Sequence, residues 1–472
     1  MKIAVIGAGP AGMTAAYVLA KNGIEVDLYE AGDRVGGMAR TIELWNQRVD
    51  IGPHRFFSND KRINELWLEV AGEDYRMVDR LTRIYYNKKL FHYPLKAFNA
   101  LRNLGPFEAA NCLLSYGKGR FTPLPDDGSF ENWVSNRFGT RLFEIFFKTY
   151  SEKLWGISCK DLDADFAAQR IKKLSLFEAI KNALLGGYGN EHKTLVDQFA
   201  YPVGGTGMIY ERMAQMTRDY GGNIFLNTPV QKIHTENHIA QGLTLENGDY
   251  HEYDHIISSM PLSLMVSRLP EVSTEVRDAA LSLDFRNTIL VYLNIDDPDL
   301  FPDNWLYIHA PDLHTGRITN FRNWTPDLYG NEKSSILVLE YWCNFDDELW
   351  KKDDNWLIGL AKKEIRETDI IGDAAILDGH VYRIPRCYPV YKRGYKNTLE
   401  PIENYLKTVQ KLSVIGRYGA FKYNNQDHSI LMGLLAAEGL INNTQPNLWD
   451  INTDYDTYQE SSVITETGLV EM

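Results

Sequence analysis

The stretch that most constrains this chain is its opening βαβ pattern. Lys2-Ile3-Ala4-Val5-Ile6 is a short apolar run of the kind that makes a buried parallel strand. It runs into Gly7-Ala8-Gly9-Pro10-Ala11-Gly12, a helical stretch from Met13 to Asn22, a stop at Gly23, and a second strand, Glu25 to Glu30. Gly7 permits the tight turn, Gly9 lets the backbone approach a pyrophosphate, and Gly12 lets the helix lie close to the strand. The helix start, opened by Pro10 and Ala11, offers the unpaired N–H groups that follow the proline and a positive dipole end. Glu30 stands where a carboxylate accepts from a ribose hydroxyl. A glycine triplet alone is weak evidence. Strand, glycines, helix, strand and acid in that order predict a dinucleotide site.

Bulk properties narrow the class. The chain has 472 residues, with ordinary apolar and charged fractions for a globular protein. No run is long and apolar enough for a membrane span, and the first strand begins at once, so a cytoplasmic protein is expected. The four cysteines show no metal-ligand spacing, and no metal is expected. A net charge of −13 argues against nucleic acid as a partner. Against it stand nine basic residues between Arg383 and Lys422, facing only Glu400 and Glu403. This island reads as an anion-binding wall.

The pattern along the chain predicts an α/β fold with a discontinuous nucleotide-binding domain (1–80, 201–262 and 410–442). A helical domain is expected over 94–200, and an antiparallel-sheet substrate domain over 81–93 and 263–409. The acidic tail, 443–472, is expected to wrap loosely or lack order. A hairpin is expected around Asn87-Lys88-Lys89.

Beyond Glu30, the segment Arg34-Val35-Gly36-Gly37-Met38-Ala39-Arg40-Thr41 resembles the second fingerprint of the FAD-containing amine oxidase and mutase superfamily. Further motifs follow in order: Lys89 to Pro94, Tyr150 to Gly156, Tyr201-Pro202-Val203-Gly204-Gly205, Asn304 to Tyr307, Gly316 to Phe321, Cys387-Tyr388-Pro389-Val390, and Gly416 to Tyr423 closed by Asn425-Gln426-Asp427-His428-Ser429. Together they resemble the UDP-galactopyranose mutase family, from residue 1 to about 440. The resemblance implies a Rossmann-type FAD-binding domain. It also implies a pyranose–furanose mutase in which N5 of reduced FAD attacks the anomeric carbon of a nucleotide sugar. NAD(P)H would be an external reductant, and a homo-oligomer is possible within the family.

Carried over residue by residue, Arg317 and Arg170 match the diphosphate arginines, and Tyr307, Tyr388 and Tyr423 the tyrosines beside them. His54 matches the loop histidine that holds a backbone carbonyl toward the flavin, and Trp155 an aromatic near the nucleotide. The cofactor set becomes Gly7, Gly9, Pro10, Ala11, Gly12, Glu30, Ala31, Arg34, Gly36, Gly37, Met38, Gly52, Pro53, His54, Val230, Met260, Gly416, Arg417, Asn425 and Gln426. Leu174 stands where bacterial mutases carry a further arginine. The rival readings are an FAD-dependent oxidoreductase of the amine or porphyrinogen oxidase type, and a flavin-binding protein without turnover.

Overall fold

The architecture is that of a computed structural model, which describes residues 1–93, 95, 97–165, 198–451 and 462–471. It starts from β1 (Lys2–Ile6), α1 (Pro10–Lys21) and β2 (Glu25–Tyr29). β1 lies at the centre of a parallel five-stranded sheet. His255–Ser258 and Leu412–Val414 extend it on one side, β2 and Asn223–Phe225 on the other. Strands buried on both faces must be apolar throughout, which is why Ile3, Val5, Ile256 and Ile257 recur there.

Helix α1 is apolar on nearly every face because it is covered on nearly every face. Residues 11–20 are all buried, between the sheet and the Gln426–Ile441 helix. Two glycines make that closeness possible. A Cβ on Gly12 would run into the Gly7 carbonyl oxygen, and one on Gly433 into that of Ala11. Each fully buried aliphatic side chain in this layer contributes about 1.5–3 kcal/mol.

A second sheet has seven strands in the order Ile376–Pro389, Phe285–Ile295, Ser335–Cys343, Arg317–Asn320, Trp305–Ile308, Thr82–Tyr86, Lys89–His92. It is antiparallel except where Trp305–Ile308 runs parallel to Thr82–Tyr86. That exception arises because the first two strands of this sheet come early in the chain, as a hairpin. Asn87 and Lys88, at φ 52° and 57°, form its left-handed turn. Of the helices between Ala97 and Trp155, Ala97–Leu104 packs on Lys89–His92 and Thr149–Trp155 on Ser335–Cys343. The expectation of a helical stretch reaching residue 200 falls partly outside the described residues.

The tail departs from its expected looseness. Ser462–Thr465 and Gly468–Glu471 form a hairpin, Val463 is buried, and the Tyr75 hydroxyl donates to the Thr465 carbonyl at 2.8 Å. Net acidity predicts solvation; Val463 and Ile464, adjacent in the strand and both buried, give the hairpin packing that the charge count obscures. Among the described residues no helix is long and apolar enough to cross a membrane.

Candidate active site

A cavity of about 1070 Å³ runs between the two sheets, from Gly9 and Glu30 to Tyr307 and Arg317. That exceeds the usual volume of a small-molecule site and suits a cofactor with a second ligand.

At its nucleotide end the wall is Gly7, Gly9, Pro10, Ala11, Glu30, Ala31, Gly37, Met38, Val230 and Met260. Gly9 caps α1 with no side chain over it, and Pro10 follows at the first helical position. The first-turn amides therefore face the cavity. Gly37 approaches so closely that a Cβ there would lie 2.9 Å from the Gly9 Cα. The Glu30 carboxylate is oriented by the amides of Ala8 and Gly32, both at 2.8 Å. An open helix end, a cradle that admits no side chain and a fixed acid together fit a dinucleotide such as FAD.

Three residues of the expected cofactor set stand elsewhere. Gly12 lies under the helix, where it permits packing. Gly36 is behind the wall, its amide bonded to the Ala8 carbonyl at 2.7 Å. Arg34 points to solvent, 62% exposed and 3.9 Å from Asp33. Arg40 lines the cavity instead. One turn separates these two arginines, and the direction of that turn was not readable from composition.

The middle of the cavity is a turn, Ile51 to Arg55, pinned by buried polar groups. Asp50 accepts from Thr41 at 2.6 Å, Tyr201 at 2.7 Å and the Thr206 amide at 3.1 Å. Burial lifts its pKa to about 6 even so. The His54 carbonyl accepts from Thr206 at 2.8 Å and Gln426 at 3.0 Å, while the Tyr210 hydroxyl donates to Gln426 at 2.7 Å. These bonds to its carbonyl fix His54 and its turn within the protein. Its ring folds over Gly52. Burial, then the nearby Arg317 charge, pull its pKa down to about 4, so it is neutral at pH 7. Gly52, Pro53, Asn425, Gln426 and Gly416 line the same region.

At the far end, Arg317 and Glu340 are directly opposed across neighbouring strands. They make a two-pronged buried pair, Nε to Oε1 and Nη2 to Oε2, each 2.6 Å. Burial alone would lower the arginine's pKa, but Glu340 carries it well above the usual value. The pair occupies one edge of the guanidinium, and Nη2 also reaches the Tyr388 hydroxyl at 3.5 Å. Tyr388 and Tyr423 stack at 5.6 Å, with the Arg417 guanidinium 4.8 and 4.5 Å from their centres. Arg417 also donates to the carbonyls of Cys387 at 3.0 Å and Asn424 at 2.8 Å. Burial keeps the Tyr388 phenol protonated, its pKa well above normal. Tyr307 meets Tyr93 and Tyr150 edge-on at 5.1 and 5.4 Å. Trp155 is buried behind this group, edge-on to Tyr423 at 5.5 Å, rather than in the cavity wall. Arg170 and Leu174 lie outside the described residues.

The basic island is corrected. Lys392, Arg393, Lys396 and Lys407 pair with Asp284, Asp127, Asp165 and Glu403 near the surface. Only Arg383, Arg386 and Arg417 of the nine reach the cavity. Proximity in sequence had grouped residues that the strand and the following helix send in different directions.

Sequence reasoning missed Glu340, Arg40, Arg55 and Arg80, all of which line the cavity. For Glu340 the signal existed: one acid inside Ser-Ile-Leu-Val-Leu-Glu-Tyr-Trp-Cys, a strand buried along its whole length, requires a cationic partner. For Arg80, in the Asp79–Thr82 turn, there was none.

The chain matches the flavin containing amine oxidoreductases over residues 10–367. It belongs to that family. It is a flavoenzyme of the amine oxidase superfamily, and FAD is its cofactor by family. Its fold is that of reduced UDP-galactopyranose mutase, with a TM-score of 0.84 over 96% of each chain at 22% identity. A putative protoporphyrinogen oxidase from Exiguobacterium sp. 255-15 has a TM-score of 0.72 over 94% of this chain and 99% of its own, at 18% identity. In sequence, coproporphyrinogen III oxidase of Staphylococcus aureus (strain NCTC 8325 / PS 47) is 22% identical, covering 93% of this chain and 98% of its own.

Proposed function

We propose that this flavoenzyme is a pyranose–furanose mutase acting on a nucleotide-activated sugar of the UDP-galactopyranose type. One observation carries the reading: beyond the Ile51–Arg55 turn, Arg317 lines the cavity together with the phenols of Tyr307, Tyr388 and Tyr423. A departing diphosphate gathers negative charge, and donors fixed before the reaction stabilise it without reorganising. Glu340 holds one edge of Arg317, which leaves Nη1 without a protein acceptor among the described residues and available to a phosphate oxygen. Tyr388, kept protonated, donates beside it. Arg170 supplies the second guanidinium in this reading. Neutral His54 adds no charge and acts by holding its turn. Bound and reduced, with NAD(P)H as external reductant, the flavin supplies the nucleophilic nitrogen.

The second reading, an FAD-dependent oxidoreductase, is favoured by Phe138, Leu142, Phe146 and Phe147 on one side of the cavity and by the similarity to coproporphyrinogen III oxidase. One experiment separates them. The holoprotein is reduced anaerobically and screened against UDP-, GDP- and dTDP-sugars for ring isomers. A mutase interconverts rings without consuming reductant in proportion. Aerobic turnover with peroxide release and no ring isomer would replace it with the oxidase.

A further inference from the structure

Most cations of the cavity are balanced by the protein itself. Arg317 has Glu340; Arg417 has two carbonyls; Arg383 has Asp354 at 2.6 Å. Arg55 and Arg80 have nothing comparable. Both line the cavity, and neither forms an ion pair with a described carboxylate. Nη1 of Arg55 and Nε of Arg80 are buried without an acceptor. Burial, then the charge of Arg80, lower the pKa of Arg55; Asp427 draws on it without pairing, its carboxylate lying 3.0 Å from His428 Nδ1. Two half-buried guanidinium groups lining one cavity, each with a buried nitrogen that has no acceptor among the described residues, are unfavourable until an anion joins them.

Their position says which part of a ligand they meet. Arg55 follows His54 in the pinned turn, and its own carbonyl accepts from Gln426 at 3.4 Å. Tyr307, opposite Arg317 in strand register, and Tyr93 both act on the Arg55 charge. Arg55 therefore enters the cavity from the turn, Arg80 from the link between Tyr75–Asp79 and Thr82–Tyr86, and Arg317 from the sheet strand that pairs with Tyr307. We infer that Arg55 and Arg80 form a second anion subsite, which takes a carboxylate on the sugar while the Arg317 end takes the diphosphate. This rests on the nucleotide-sugar reading and names its substrate class: a nucleotide hexuronate or another acidic sugar. Planar guanidinium forks suit a planar carboxylate. A neutral hexose would leave both charges uncompensated.

Calorimetric titration of the holoprotein with UDP, UDP-galactose and UDP-galacturonate tests it, since the last two differ only at C6. The wild type binds UDP-galacturonate at least about tenfold more tightly than UDP-galactose. Arg55→Gln and Arg80→Gln each abolish that preference and leave UDP affinity and FAD absorbance unchanged; Arg55→Lys, which keeps the charge, retains part of it. Equal affinities in the wild type, or a preference that survives both glutamine variants, overturn the subsite. So does an unchanged sugar preference with slowed reduction by NADPH, which would assign the pair to the reductant's phosphates. Failure of UDP itself to bind the wild type sinks the nucleotide-sugar reading, and is seen in a separate arm.

Discussion

At the nucleotide end of the cavity, the glycine turn, the open helix, the acid and Arg40 all come from one run, Gly7 to Arg40. At the other end, Arg55, Tyr307, Glu340, Tyr388 and Tyr423 come from separate strands and turns. The first end is built by local backbone geometry and uses small residues to let a ligand approach. The second is built by register between distant strands and uses large polar side chains whose charges must be balanced after assembly. Damage to the first should be steric; damage to the second should be electrostatic.

Glu340→Ala tests that contrast at its strongest. It leaves the Arg317 charge buried and unpaired, which costs about 3–5 kcal/mol. Chemical denaturation should show that loss, with FAD still bound in whatever fraction remains folded. Glu340→Gln, of nearly equal size, should lose most of the same stability, because charge rather than volume is missing. A glutamine variant as stable as wild type would break the electrostatic half of the comparison. Gly12→Ala comes next. The added methyl meets the Gly7 backbone, which cannot swing aside as a side chain could, so about 3 kcal/mol is lost. Here FAD should be lost with it, as read from absorbance after gel filtration.

The same contrast explains what the sequence made legible. The βαβ unit declares itself because its constraints fall on neighbours: a glycine where the turn needs one, an acid where the next strand ends. Tyr307 and Arg317 could be named as candidates from motif resemblance, yet nothing near them in the chain announces that Glu340 faces Arg317. That fact belongs to the pairing of Arg317–Asn320 with Ser335–Cys343. The basic island failed for the complementary reason. Charges adjacent in sequence alternate direction along a strand and rotate around a helix, so four of them end in surface pairs. Arg55 and Arg80 are 25 positions apart and only the fold brings both to the wall of one cavity.

Acid should act mainly at the substrate end. His54 and His255 are held near pKa 4 and His309 near 3, in each case first by burial. Unfolded histidine titrates near 6.5. As pH falls from 6.5 toward 4 the unfolded chain takes protons that the folded chain refuses, so stability falls with acidification. Asp50 runs the other way: its pKa of about 6 means the folded state takes that proton first, and its share of stability rises as pH drops from 7 to 4. Three groups against one leave a net loss of about 4 kcal/mol between pH 7 and 5. Two of the three, His54 and His309, line the cavity toward Arg317. A melting temperature that is flat or rising over that interval would contradict the assignment.

Arg34→Ala should do almost nothing, and that is its use. The second glycine fingerprint carries two arginines, and the resemblance puts Arg34 among the cofactor residues. The folded chain turns Arg34 outward, 62% exposed, with Asp33 as a loose neighbour, while Arg40 is 18% exposed and lines the cavity. An exposed pair of this kind contributes little, so the change in stability should stay within about 0.5 kcal/mol. FAD affinity should be unchanged in Arg34→Ala and weakened in Arg40→Ala, measured side by side by flavin fluorescence on dilution. The reverse order would mean that the 31–40 turn reorganises when the dinucleotide binds. The nucleotide end would then share the long-range dependence of the substrate end, and the division between local and assembled halves would no longer hold.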